Sequence, residues 1–266
     1  MRSLELSLDK YKIDKTSYLE KYDPIFEPYV QKKITLLELG VLRGGSLLLW
    51  RDYFPFGTIV GVDIKLPDSF DPGERIHIFE GNQADPQFLS QVAKKVAPEG
   101  FDIIIDDASH LGELTKTAFW HLFDNHLKPN GLYAIEDWGT GYWSDWPDGK
   151  RLNPESYAQQ KFKRNLESYA QQKFKRSPFL PFLLKVTGKL GLRFPMRSHC
   201  YGMVGFVKQL IDEQAAQDVT RGMQKGEPTR ISKFESMIVT SSIVFIKKAL
   251  QKKDIEPSDL TFDKVE

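Results

Sequence analysis

Apolar residues fall along this chain in short runs separated by polar, helix-like stretches. ITLLELG (34–40) is apolar and ends in glycine, and TIVGVDI (58–64) is apolar around an acid. RIHIFEGN (75–82) alternates, FDIIIDD (101–107) runs straight into two acids, and LKPNGLYAIED (127–137) joins a turn to a further apolar run. Each reads as a strand. Between them, GGSLLLWRDYF reads as a helix opened by Gly44–Ser46. DPQFLSQVAKKV (85–96) reads as a helix with Asp85 as cap and Pro86 in its first turn. A third helix passes through Phe119, His121, Leu122 and Phe123. Near-continuous apolar strands alternating with helices predict a mostly parallel sheet covered on both faces.

After residue 137 the rhythm changes. WGTGYWSDWPDG is rich in Trp and Gly, and the decapeptide ESYAQQKFKR occurs at 155–164 and again at 167–176. Ala158, Phe162, Leu166, Ala170 and Phe174 recur at every fourth position, which predicts one amphipathic helix with a basic outer face. GMVGFVKQLIDEQAAQDV (202–219) returns to helical spacing, and ISKFESMIVTSSIVFIKK (231–248) reads as two strands turning near Thr240–Ser242. The expected organisation is an N-terminal helical segment (1–33), an α/β domain built from 34–149 and 201–250, and a helical insertion (150–200). The closing hairpin adds an antiparallel end to a seven-strand Rossmann-like sheet.

Composition narrows the function. The chain has 266 residues, is 41% hydrophobic and 27% charged, and carries a net charge of +1. No global field favours nucleic acid. The lone cysteine, Cys200, excludes an internal disulfide and a cysteine zinc cluster. The N-terminal residues lack a signal peptide's apolar core, and no apolar run approaches the ~20 residues that span a bilayer. The expectation is a cytoplasmic protein without a membrane span.

In an open parallel sheet, ligands bind beyond the carboxyl ends of the strands. The glycines after the first strand allow close backbone approach to a ligand, and Asp63 at the end of the second is placed to accept both hydroxyls of a ribose. Glu38, Gly40, Gly44 and Gly45 give E-x-G-x-x-x-G-G, which is not the G-x-G-x-x-G of a nicotinamide site. It resembles the motif of class I S-adenosylmethionine-dependent methyltransferases. That resemblance implies that Gly40 and its loop neighbours, Gly44 and Ser46 among them, pass the methionine portion. It also implies that Asp63 holds the ribose and that Asn82 and Gln83 touch the adenine.

The next two strands end in DDASH and IED. Asp106, Asp107, Glu136 and Asp137 crowd one end of the sheet, and four carboxylates in one cleft repel unless a cation joins them. Hard oxygen ligands suit Mg²⁺. Successive strand residues face opposite ways, so Asp107, Glu136 and Asp137 are expected at the metal and Asp106 nearer the cofactor. His110 is the candidate general base for a hydroxyl acceptor.

LELGVLRGGSLLLW, GNQADPQF, FDIIIDDASH, LKPNGLYAIEDWGTGYW and SIVFIKK resemble a narrower group, the metal-dependent sugar O-methyltransferases of macrolide pathways. That resemblance implies Mg²⁺ on Asp107, Glu136 and Asp137, with His110 as base. The expected acceptor is a hydroxyl of a sugar or glycoside, with Trp138, Tyr142, Trp143 and Trp146 as aromatic platforms or core packing. Two other readings stay open: methylation of a catechol-like phenol, and a non-catalytic cofactor-fold module. Oligomeric state also stays open, with the resemblance and the aromatic N-terminal segment favouring self-association.

Overall fold

The computed structural model describes residues 1–13, 15–143, 145–150, 199–221 and 227–250. The tandem decapeptide lies outside the described residues, as does nearly all of the expected insertion. Five parallel strands come first: β1 (Thr35–Leu39), β2 (Thr58–Asp63), β3 (Ile76–Glu80), β4 (Phe101–Asp106) and β5 (Leu127–Glu136). The hairpin of β6 (Phe234–Val239) and β7 (Ile243–Lys248) adds on antiparallel, with β7 against β5. The sheet order is β3-β2-β1-β4-β5-β7-β6. The order therefore reverses between β1 and β4, and a crevice opens there at the carboxyl ends.

Helices α1 (Thr16–Phe26), α2 (Gly45–Tyr53), α3 (Pro86–Val96) and α4 (Gly112–Asn125) accompany the strands. They are followed by α5 (Pro147–Lys150), α6 (Gly202–Gln214) and α7 (Ala216–Arg221). The cap expected from Asp85–Pro86 forms: the Asp85 carboxylate accepts the N–H groups of Gln87 and Phe88, and Pro86 opens α3. Among the described residues no helix is long and apolar enough to cross a membrane.

Alternation along the strands sorts the core into two halves. Leu37, Leu39, Ile104, Tyr133 and Ile135 face the side packed by α3, α4 and α6. Leu36, Ile103, Ile105 and Ala134 face the side packed by α1 and α2. On that second side Tyr22, Phe26, Trp50, Tyr53 and Phe54 are fully buried and meet at ring separations of 4.6–6.0 Å. Burying one such ring is worth roughly 1.5–3 kcal/mol, so α1 is seated firmly. The N-terminal segment is thus a wall of the core rather than an appendage to it. The two faces also decide where each strand-end acid points.

Candidate active site

Gly40 leaves β1 at φ 96°, a conformation L side chains rarely adopt, and a Cβ there would meet the Asp107 carbonyl oxygen at 2.2 Å. Only glycine lets the β1 loop and the β4 end come this close. The loop is fixed by Asp63, whose Oδ2 accepts the N–H groups of Val41 (2.7 Å) and Leu42 (3.0 Å). Gly44, also at positive φ, precedes α2 with the Phe70 ring packed against it. A cleft of about 950 Å³ opens over this loop, lined by Gly40, Ser46, Asp63, Asn82 and Gln83 on one side and by Asp107, His110 and Asp137 on the other.

Several expected cofactor-side residues act from behind this wall. Glu38 is fully buried; its carboxylate accepts the Ser46 hydroxyl (2.8 Å) and the Trp50 indole N–H (3.2 Å). Burial raises its pKa, with Lys15 acting in opposition. Asp106, expected nearer the cofactor, lies behind the Gln83 side of the cleft rather than among its lining residues. It shares a face with Leu39 and Ile135, where it accepts the Gln83 amide (3.3 Å) and the Tyr133 hydroxyl (3.5 Å). Burial pushes its pKa up to about 7. Its bond to Gln83 leaves the Gln83 carbonyl for the Ser109 N–H (3.0 Å), so Asp106 braces the cleft through that side chain.

The four crowded acids are separated by strand alternation. Glu136 faces the α1 side, as Glu38 of β1 does, Asp106 faces the α4 side, and Asp107 and Asp137 lie past the strand ends in the cleft. A lysine from the N-terminal segment meets the acids on the α1 side. The Lys15 ammonium, 3% exposed, lies 3.0 Å from Glu38 Oε1, 2.6 Å from Asp107 Oδ2 and 2.8 Å from Glu136 Oε1. Burial disfavours its charge, but the three carboxylates together outweigh that and hold its pKa well above the usual value. Tyr22 donates its hydroxyl to the same Glu136 oxygen at 2.6 Å, and Tyr18 donates to Asp137 Oδ1.

Glu136 was expected at the metal together with Asp107 and Asp137. The chain does not turn until Asp137, which adopts φ 51°, so Glu136 keeps its strand orientation and spends one oxygen on Lys15 and Tyr22. Among the described residues, the side chains drawn together as potential metal ligands are Asp107, His110 and Asp137, whose ligand atoms lie within 4.8 Å of one another. His110 Nε2 is 3.8 Å from Asp107 Oδ1 and 3.8 Å from Asp137 Oδ2. Its backbone, also at φ 51°, is held by its carbonyl, which accepts the Trp146 indole N–H (3.1 Å). Trp146 thereby acts on the site through a backbone bond, with its ring 5.8 Å from the imidazole.

Lys15, Tyr18 and Tyr22 are the residues that sequence reasoning missed. One signal was available. They are spaced by three and four in KTSYLEKY, which places them on one face of a helix, and two buried strand-end glutamates need a cation.

No family model matches the chain. It is 39% identical over 141 residues to the mycinamicin VI 2''-O-methyltransferase of Micromonospora griseorubida, covering 50% of this chain and 34% of that one. It is 40% identical over 129 residues to the demethylmacrocin O-methyltransferase of Streptomyces fradiae, covering 46% and 32%. The structure of MycE, the methyltransferase from the mycinamycin biosynthetic pathway in complex with Mg and SAH, superimposes with a TM-score of 0.62 at 27% identity, covering 91% of this chain and 52% of that one. The chain thus spans about a third of the length of the curated relatives it matches, and about half of the solved one. On a class I S-adenosylmethionine-dependent methyltransferase fold, this chain resembles the macrolide sugar O-methyltransferases.

Proposed function

We propose that this chain is an S-adenosylmethionine-dependent O-methyltransferase acting on a hydroxyl of a sugar or glycosylated natural product. One observation carries the reading: a single cleft joins the glycine loop and Asp63 to the Asp107–His110–Asp137 group. Cofactor and acceptor can therefore meet without either crossing the sheet. The names of the relatives support the acceptor class.

The donor set fits a divalent cation. Asp107 and Asp137 offer hard oxygens, and Mg²⁺ is commonly held by one or two carboxylates with water completing its shell. Asp107 Oδ1 and Asp137 Oδ2 would hold it, with Glu136 supporting from behind through Lys15. When bound, the cation lowers the pKa of a coordinated hydroxyl. His110 takes the proton from the acceptor O–H. The acceptor oxygen then bonds to the methyl carbon, the carbon–sulfur bond breaks, and its electron pair stays on sulfur as the thioether product. Mutual orientation of the two substrates supplies much of such a rate.

The test is methyl transfer over a panel of glycosides and phenols, with Mg²⁺ or with chelator. Turnover of glycosides that chelator abolishes and Mg²⁺ restores is the expected result. Turnover of catechols alone favours the phenol reading. Absence of any S-adenosylmethionine binding by calorimetry overturns both and leaves a non-catalytic module.

A further inference from the structure

Each cleft aspartate has two oxygens, and the N-terminal segment grips one of each. Asp107 Oδ2 is held by the Lys15 ammonium at 2.6 Å, and Asp137 Oδ1 accepts the Tyr18 hydroxyl. The other oxygens, Asp107 Oδ1 and Asp137 Oδ2, are the ones turned toward His110. A carboxylate rotating about its terminal bond offers either oxygen in many directions. One whose first oxygen is fixed offers the second in one direction only.

The grip is itself rigid. Lys15 is also held by Glu38 and Glu136, at the ends of two further strands. Tyr18 stands on α1, which is anchored by Leu19, Tyr22 and Phe26 in the core. Tyr22 packs edge-on against Trp50 and Phe245 at 5.2 and 5.3 Å. A neutral tyrosine is a poor countercharge, so neutralising the acids does not account for its bond to Asp137.

We propose that Lys15 and Tyr18 are positioning residues of the candidate site, fixing Asp107 and Asp137 so that one oxygen of each converges with His110 on a cation and an acceptor hydroxyl. The inference rests on the metal-assisted reading above. It adds an outer layer of the site that comes from the N-terminal segment rather than from the strand ends.

The experiment is titration with Mn²⁺ as an EPR-visible stand-in for Mg²⁺, on wild type and on Tyr18→Phe, Lys15→Met and Lys15→Arg, with melting temperature as a fold control. Removing such outer contacts costs about 10–100-fold in metal affinity, so Tyr18→Phe should bind Mn²⁺ at least about tenfold more weakly while melting near wild type. Its kcat should fall with little change in the KM for S-adenosylmethionine. Lys15→Met should weaken Mn²⁺ binding too, with Lys15→Arg recovering part of it. If Lys15→Met does not fold, Tyr18→Phe decides alone. Wild-type Mn²⁺ affinity in Tyr18→Phe overturns the proposal. Tighter Mn²⁺ binding in Lys15→Met also overturns it, because the ammonium would then be a competitor of the cation. A wild-type protein that binds no Mn²⁺ at millimolar concentration instead fails the metal-assisted reading itself.

Discussion

Gly40 and Asp107 touch through their main chains: no atom larger than hydrogen fits on the Gly40 α-carbon beside the Asp107 carbonyl. The β1 loop that faces the expected cofactor and the β4 end that carries the first cleft acid are therefore a single packed unit. Gly40→Ala should force them apart and strain φ at that position. Overpacking of this kind costs roughly 1–3 kcal/mol. The expected outcome is a lower urea midpoint together with loss of S-adenosylmethionine binding in calorimetry. A variant that binds normally would mean that the contact is slack.

The separation of the acids predicts unequal consequences for similar substitutions. Asp107→Asn and Asp137→Asn each remove a hard ligand from the cleft and should weaken Mn²⁺ binding roughly tenfold or more. Asp106→Asn lies on the opposite face with Gln83 and Tyr133, and should leave Mn²⁺ affinity near wild type. Equal losses in all three would contradict the strand-alternation account.

Asp148 joins two helix starts. Its Oδ2 accepts the N–H of Gly112 at the start of α4 (2.9 Å) and that of Met203 in the first turn of α6 (2.8 Å). A carboxylate at two helix N-termini satisfies donors that otherwise lack intrahelical partners. Asp148→Ala should destabilise the fold by about 1–3 kcal/mol, read as a fall of several degrees in Tm. An unchanged Tm would mean that water replaces the carboxylate at no cost.

His121 and His126 flank Ser90, each with Nε2 at 2.9 Å from its hydroxyl, and their rings are 5.2 Å apart. Burial lowers the pKa of both below the usual 6.5, and each other's charge adds to this at His126. The folded state keeps them neutral, whereas the unfolded chain takes up protons once pH falls below about 6.5. The stability they contribute is present above that pH and is lost as pH falls through their folded values. The urea midpoint should drop between pH 7.5 and 5, and His121→Gln with His126→Gln should flatten the drop. An identical slope in the double variant would place the acid sensitivity elsewhere.

The strands were legible because apolar, β-branched runs such as FDIIID and TIVGVD leave few alternatives once turns and caps bound them. Asp107, His110 and Asp137 were legible as a group because they follow strands that the order of the sheet makes neighbours. The faces that Glu136 and Asp106 occupy were not legible, for one reason. Sequence shows that the acids are adjacent along the chain but not at which residue the strand gives way to the turn, and that residue sets the face each acid occupies. Lys15 was hidden for another reason. Its meaning depends on partners at 38, 107 and 136, and its spacing with Tyr18 and Tyr22 is a local mark that gains weight only once those partners are placed.

Lys15 and Glu136 are separated by 121 positions along the chain. A ribosome that has just made the lysine has still to make β1, β4 and β5 before its three carboxylate partners exist in place. Contacts so remote in sequence close late, after the chain entropy between them has been overcome. Until β5 joins the sheet, the ammonium lacks one of its three carboxylates, even though the aromatic packing of α1 against Trp50, Tyr53 and Phe54 needs no later strand. Full pairing of the ammonium therefore requires that β1, β4 and β5 have come together in the sheet. A chain arrested before residue 136 would carry the glycine loop and Asp107 but neither Glu136 nor Asp137.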